Sequence, residues 1–78
     1  MSRHTIARPD LSDDLTRLGL LAVVRRVRVE PFAYVGASIL NGDGSVRVWS
    51  YCPMGLGRAA FYGPTEADAI LAALEAAP

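Results

Sequence analysis

Seventy-eight residues make one small domain with no room for a second, and 51% hydrophobic against 21% charged residues is too apolar a balance for a disordered chain. Eight arginines, with no lysine, balance eight Asp and Glu, so the formal charge is zero and bulk electrostatics supplies no argument for nucleic-acid binding. One Cys and one His exclude a disulfide framework, a multi-ligand Cys/His zinc site and a self-contained nucleophilic triad.

Residues 1 to 9 are polar, contain Pro9 and show no period, which predicts a flexible or partner-ordered arm ahead of a single domain over 10–78. Asp10 or Ser12 is placed to cap a short helix over about 11–18, with Leu11, Leu15 and Leu18 on one face and Gly19 as its stop. Leu18 to Val24 is the longest near-continuous apolar run, well short of the roughly 20 residues of a membrane span. Asp10, Asp13 and Asp14 precede this run and no small-residue cleavage site follows it, so a signal peptide is not expected. Lone Cys52 fits a reducing interior, and a cytoplasmic location is expected.

From Val23 to Glu30 the residues alternate, Val23, Val27 and Val29 against Arg26, Arg28 and Glu30, which predicts a first strand. A second strand follows Pro31, from Phe32 to Leu40. Asn41-Gly42-Asp43-Gly44 then offers two overlapping turn dipeptides, and Ser45 to Cys52 returns as the partner strand. A two-residue turn pairs odd residues of the outgoing strand with even residues of the return. That register predicts Val35, Ala37 and Ile39 on one face with Val46 and Val48, and Tyr34 on the other with Trp49 and Tyr51. After the Pro53–Gly57 loop, Arg58 to Tyr62 can form a short fourth strand, with Ala59 and Phe61 opposite Arg58 and Tyr62. Thr65-Glu66-Ala67-Asp68 resembles a capping box with Asp in place of Glu, opening a helix over 66–76 with Ala67, Ile70, Leu71 and Leu74 as its stripe.

The order α-β-β-β-β-α predicts an α+β two-layer sandwich, an antiparallel sheet of three to four strands with both helices on one face. Aliphatic side chains are the natural partners of the helix stripes, each large one worth roughly 1.5 to 3 kcal/mol on burial. The other face would then carry Arg26, Arg28, Tyr34, Arg47, Trp49, Tyr51, Arg58 and Tyr62, residue types enriched at interface hot spots. The inverted arrangement, with Trp49 and Tyr51 in the core, would bury Arg26, Arg28 and Arg47 with few acidic partners, at a cost of several kcal/mol.

Other motifs weigh less. Gly55-Leu56-Gly57-Arg58 resembles a phosphate-cradling loop but lacks the Lys-Ser/Thr of a P-loop and no helix follows. Cys52 has no His or Lys nearby in sequence to activate it and reads as a small buried thiol. Glu66, Asp68 and Glu75 have no metal-ligand spacing, so no catalytic residue, metal or cofactor is implied.

Tyr34 to Leu74 runs strand, Gly-Asp-Gly turn, strand, Pro-x-Gly loop, short strand and Gly-Pro-Thr-Glu-Ala at the start of a helix. This resembles the core of HicB-type antitoxins. The order of helix, three strands and helix also resembles double-stranded-RNA-binding domains, although Thr65 and Glu66 stand where those domains carry a Lys-Lys pair. In size and style the chain resembles small phage and mobile-element proteins, anti-CRISPR proteins among them, which implies an inhibitor that occupies a surface of a larger protein or nucleoprotein. The expectation is therefore a non-catalytic protein-binding module using the Arg/aromatic face. A HicB-like antitoxin, or a nucleic-acid binder stacking bases on the same face, is the alternative, and self-association as a homodimer competes for that surface.

Overall fold

The computed structural model describes residues 14–78, and the predicted arm and the helix caps at Asp10 and Ser12 lie outside the described residues. Two helices and three strands follow in the order α1 (Asp14–Val27), β1 (Tyr34–Leu40), β2 (Val46–Cys52), β3 (Phe61–Gly63) and α2 (Glu66–Glu75). The fold is α+β, with an open antiparallel sheet in the order β1-β2-β3.

The segment predicted as a first strand is instead the last part of α1 and the turn after it. Leu21 and Val24, three residues apart, are both buried, so a helical period reaches the core where the alternating one does not. Gly19 sits inside the helix rather than ending it. The actual end is a Schellman arrangement in which Glu30 N–H donates to Arg25 O at 2.8 Å and Val29 N–H to Arg26 O at 3.2 Å. Val29 takes the left-handed position, φ 55°, that glycine ordinarily fills. A β-turn over Glu30-Pro31-Phe32-Ala33 then leads into β1, with Ala33 N–H donating to Glu30 O at 3.1 Å.

The β1–β2 hairpin forms at the predicted place with a loop one residue longer than a two-residue turn. Asn41 N–H donates to Ser45 O at 2.8 Å, leaving Gly42, Asp43 and Gly44 as the loop, and Gly44 adopts φ 89°. Asp43 Oδ1 accepts from Ser45 N–H at 2.9 Å and from Ser45 Oγ at 2.6 Å. A three-residue loop pairs residues of like parity: Val35 faces Tyr51 and Ala37 faces Trp49, while Tyr34 faces Cys52 and Gly36 faces Ser50. Nearer the loop, register shifts leave Ser38 and Arg47 without ladder partners and bring Ile39 opposite Val48.

This single residue turns β2 over relative to β1: Val35 stays on the helix side as predicted, while Trp49 and Tyr51 face the helices in place of Val48. Val35, Trp49, Tyr51 and Phe61 pack with Leu21, Val24, Ile70 and Ala73, and Tyr51 is completely buried. The arginines that argued against this arrangement are not buried on the sheet: Arg26 and Arg28 belong to α1 and its turn, and Arg47 is exposed at the bulge. Aromatic rings remove more apolar surface from water than valines do, so the inverted face makes the larger core.

The short strand starts later than predicted, at Phe61, but its alternation holds: Phe61 turns inward and Tyr62 outward. Gly63 lies beneath α2, where a Cβ would come within 2.5 Å of Asp68 Cβ and 2.8 Å of Ala69 N. Thr65 caps α2, its Oγ1 accepting from Asp68 N–H at 3.1 Å and donating to Asp68 Oδ2 at 2.8 Å. The buried stripe of α2 is centred on Ala69, Ile70 and Ala73, rotated from the predicted one. Arg28, just past the end of α1, reaches the last turn of α2, while Arg17 and Leu18 share a cleft with Glu66 at its start. The helices therefore run in the same general sense on one side of the sheet.

Candidate functional site

The eight residues predicted on one Arg/aromatic face are divided among four places. Tyr51 is in the core and Trp49 packs against it. Tyr34 and Tyr62 lie on the uncovered face of the sheet, Arg26 and Arg47 are exposed elsewhere, and Arg28 and Arg58 converge on Glu30.

Glu30 is the residue that the alternating pattern concealed. Its side chain is 2% exposed, and the carboxylate accepts from Arg28 Nε at 2.8 Å, Tyr51 Oη at 2.9 Å and Arg58 Nη1 at 3.3 Å. A buried carboxylate is tolerated only with such a complete set of partners. The sequence signal was available in principle, since Glu30 is the only acid between Asp14 and Asp43 and has arginines at 25, 26 and 28 before it. Burial acts to raise its pKa, but hydrogen bonds from Arg28 and Tyr51 and the charges of Arg28 and Arg58 outweigh it and hold the carboxyl below its ordinary value. For Tyr51, burial and the adjacent Glu30 push the phenol up to about 12.

Arg28 ties three elements together. Besides Glu30, its guanidinium lies 4.6 Å from the Phe61 ring centroid, and Nη1 donates to Ala73 O at 3.2 Å. The last turn of α2 has no basic residue of its own, so Arg28 supplies the cation that its carbonyl end favours. Arg25 Nε donates to Ala33 O at 2.6 Å, and Arg58 Nη1 to Arg28 O at 3.3 Å. These contacts clamp the 28–33 turn, the 53–60 loop and the end of α2 into one unit.

The opposite side of the sheet is chemically plainer. Tyr34, Ile39, Val48, Cys52 and Tyr62 share the face opposite α1 and α2, with Gly36 and Ser50 between them. Tyr34, Ile39 and Tyr62 are about half exposed, and this set contains no charged side chain. Ser50 Oγ lies 3.4 Å from Gly36 O and 3.3 Å from Cys52 Sγ. A hydrogen bond with Cys52 raises the Tyr34 phenol. A cleft of about 460 Å³ opens between the helices and β1, lined by Arg17, Leu18, Leu21, Tyr34, Val35, Glu66 and Ile70.

Among the described residues no group of three His, Cys, Asp or Glu is placed to hold a metal ion, and no helix is long and apolar enough to cross a membrane. Comparison with protein-family models, with curated proteins and with solved structures finds no match.

Proposed function

We propose that the chain is a non-catalytic protein-binding module that docks through the uncovered face of its sheet. The observation that carries this reading is the makeup of that face: partly exposed Tyr34, Ile39 and Tyr62 around small Gly36 and Ser50, without a formal charge. Exposed tyrosines on a rigid strand supply contact area at low entropic cost and are enriched at binding hot spots. Among the described residues this face carries no cation, which disfavours the nucleic-acid alternative, and that alternative has also lost Trp49 and Tyr51 to the core as stacking platforms. Occupying a surface of a larger protein, as a stoichiometric inhibitor does, is a role that such a face can fill without chemistry.

The test is affinity capture from the native cell with wild type and the Tyr34→Ala/Tyr62→Ala double variant, alongside light scattering of both. A defined partner retained by wild type and lost by the variant is the expected result. Capture unaffected by the two substitutions rejects this face, and a wild-type dimer that the substitutions dissociate reassigns it to self-association.

A further inference from the structure

The register that pairs Tyr34 with Cys52 brings the 28–33 turn and the 53–60 loop to the same end of the sheet, and Arg58 joins them through Arg28 O and Glu30 Oε2. This end combines three properties. Its turns display apolar side chains: Phe32 lies within the Glu30–Ala33 turn, and Leu56 within the Gly55–Arg58 turn closed by Arg58 N–H donating to Gly55 O at 3.3 Å. Both are largely or fully exposed, as are Val29 and Met54. Second, Val29 and Met54 have left-handed φ of 55° and 61°, and among the described residues they are the non-glycine positions that do. Such conformations persist where surrounding contacts over-determine them, and they gather at functional surfaces. Third, four of the eight arginines, Arg25, Arg26, Arg28 and Arg58, are here. Among the described residues the acids at this end are Glu30, which is buried, and Glu75, two residues past the carbonyl that Arg28 grips.

We propose that this end docks on the surface of an anionic phospholipid bilayer, with Phe32, Met54 and Leu56 entering the interfacial region and Arg26 and Arg58 lying against lipid phosphates. The positive rim selects an anionic acceptor. The apolar groups are carried on two separate turns and are each largely exposed, an arrangement that suits a deformable acceptor. Interfacial attachment needs two weak signals together, apolar insertion and basic charge, and the Glu30 clamp holds both at one end. This site is separate from the uncovered sheet face and does not depend on its proposed role.

Co-sedimentation of the full chain with phosphatidylcholine vesicles, and with equimolar phosphatidylcholine/phosphatidylglycerol vesicles, tests it. Wild type is expected to sediment with the anionic vesicles only, and added salt to release it. Arg26→Ser should weaken binding roughly fivefold, and Leu56→Ser or Phe32→Ser about tenfold or more. These side chains are exposed, so thermal melts of the variants should match wild type, and Tyr34→Ala/Tyr62→Ala should bind vesicles normally. Wild type that ignores anionic vesicles overturns the proposal, whether or not the same substitutions weaken a protein complex. So does vesicle binding that is unchanged in Leu56→Ser and Phe32→Ser.

Discussion

The two ends of the sheet solve the same problem, reversing the chain, by opposite means. At the 41–45 end, the local sequence does the work: Gly44 takes φ 89°, and Asp43 and Asn41 hydrogen-bond Ser45. At the 28–33 end, no glycine is present and a β-branched residue occupies the left-handed position. What holds it there is distant in sequence, with Tyr51 and Arg58 reaching Glu30, and Arg28 reaching Ala73. A turn coded locally can form without the rest of the fold. A turn held by a buried ionic cluster forms only when the core does.

The largest test of this contrast removes the carboxylate. Glu30→Ala leaves Arg28 and Tyr51 without their main partner, and should destabilise the fold by about 3 to 5 kcal/mol in denaturant melts. Loss of under about 1 kcal/mol would show that the cluster decorates the turn rather than holding it.

Changes of pH should reproduce part of that effect from both sides. Glu30 is held below its ordinary value of 4.5, so its contribution is complete above that pH and is lost as pH falls through the lower folded value. Tyr51 is raised from 10.0 to about 12, so its contribution is complete below pH 10 and is lost as pH rises from there toward 12. Thermal melts across both ranges should show the alkaline loss in wild type and a smaller one in Tyr51→Phe. Asp43 at the other end is also lowered, by hydrogen bonds from Ser45, so Glu30→Gln should keep a residual acid sensitivity.

The smallest effect separates the turns themselves. Val29→Gly relieves a left-handed β-branched residue and should raise stability by up to about 1 kcal/mol, whereas Gly44→Val creates the same strain and should lower it by at least about 1 kcal/mol. Equal responses at the two positions would mean that Val29 is not strained.

Much of the architecture was legible because its signals are local. The turn at Asn41–Ser45, the cap at Thr65 and the inward and outward alternation of Phe61 and Tyr62 depend on neighbouring residues, and all appear in the structure. The end of α1 was not legible, because Val29 stands where a glycine would have announced it and the valines and arginines there also alternate as a strand would. The predicted grouping on one face came apart for two reasons: Trp49 and Tyr51 turned inward because the hairpin loop holds three residues rather than two, and Arg26 and Arg28 left the sheet because α1 continues through Val27.

By itself, then, the sequence determined a small α+β domain, the positions of its hairpin and last helix, and the absence of any net charge. The tertiary structure alone decided which sheet face is inside and where the arginines go. Side chains alternate with a period of two, so one added loop residue exchanges the two faces of β2, and the larger apolar burial of Trp49 and Tyr51 lies with the face that was chosen.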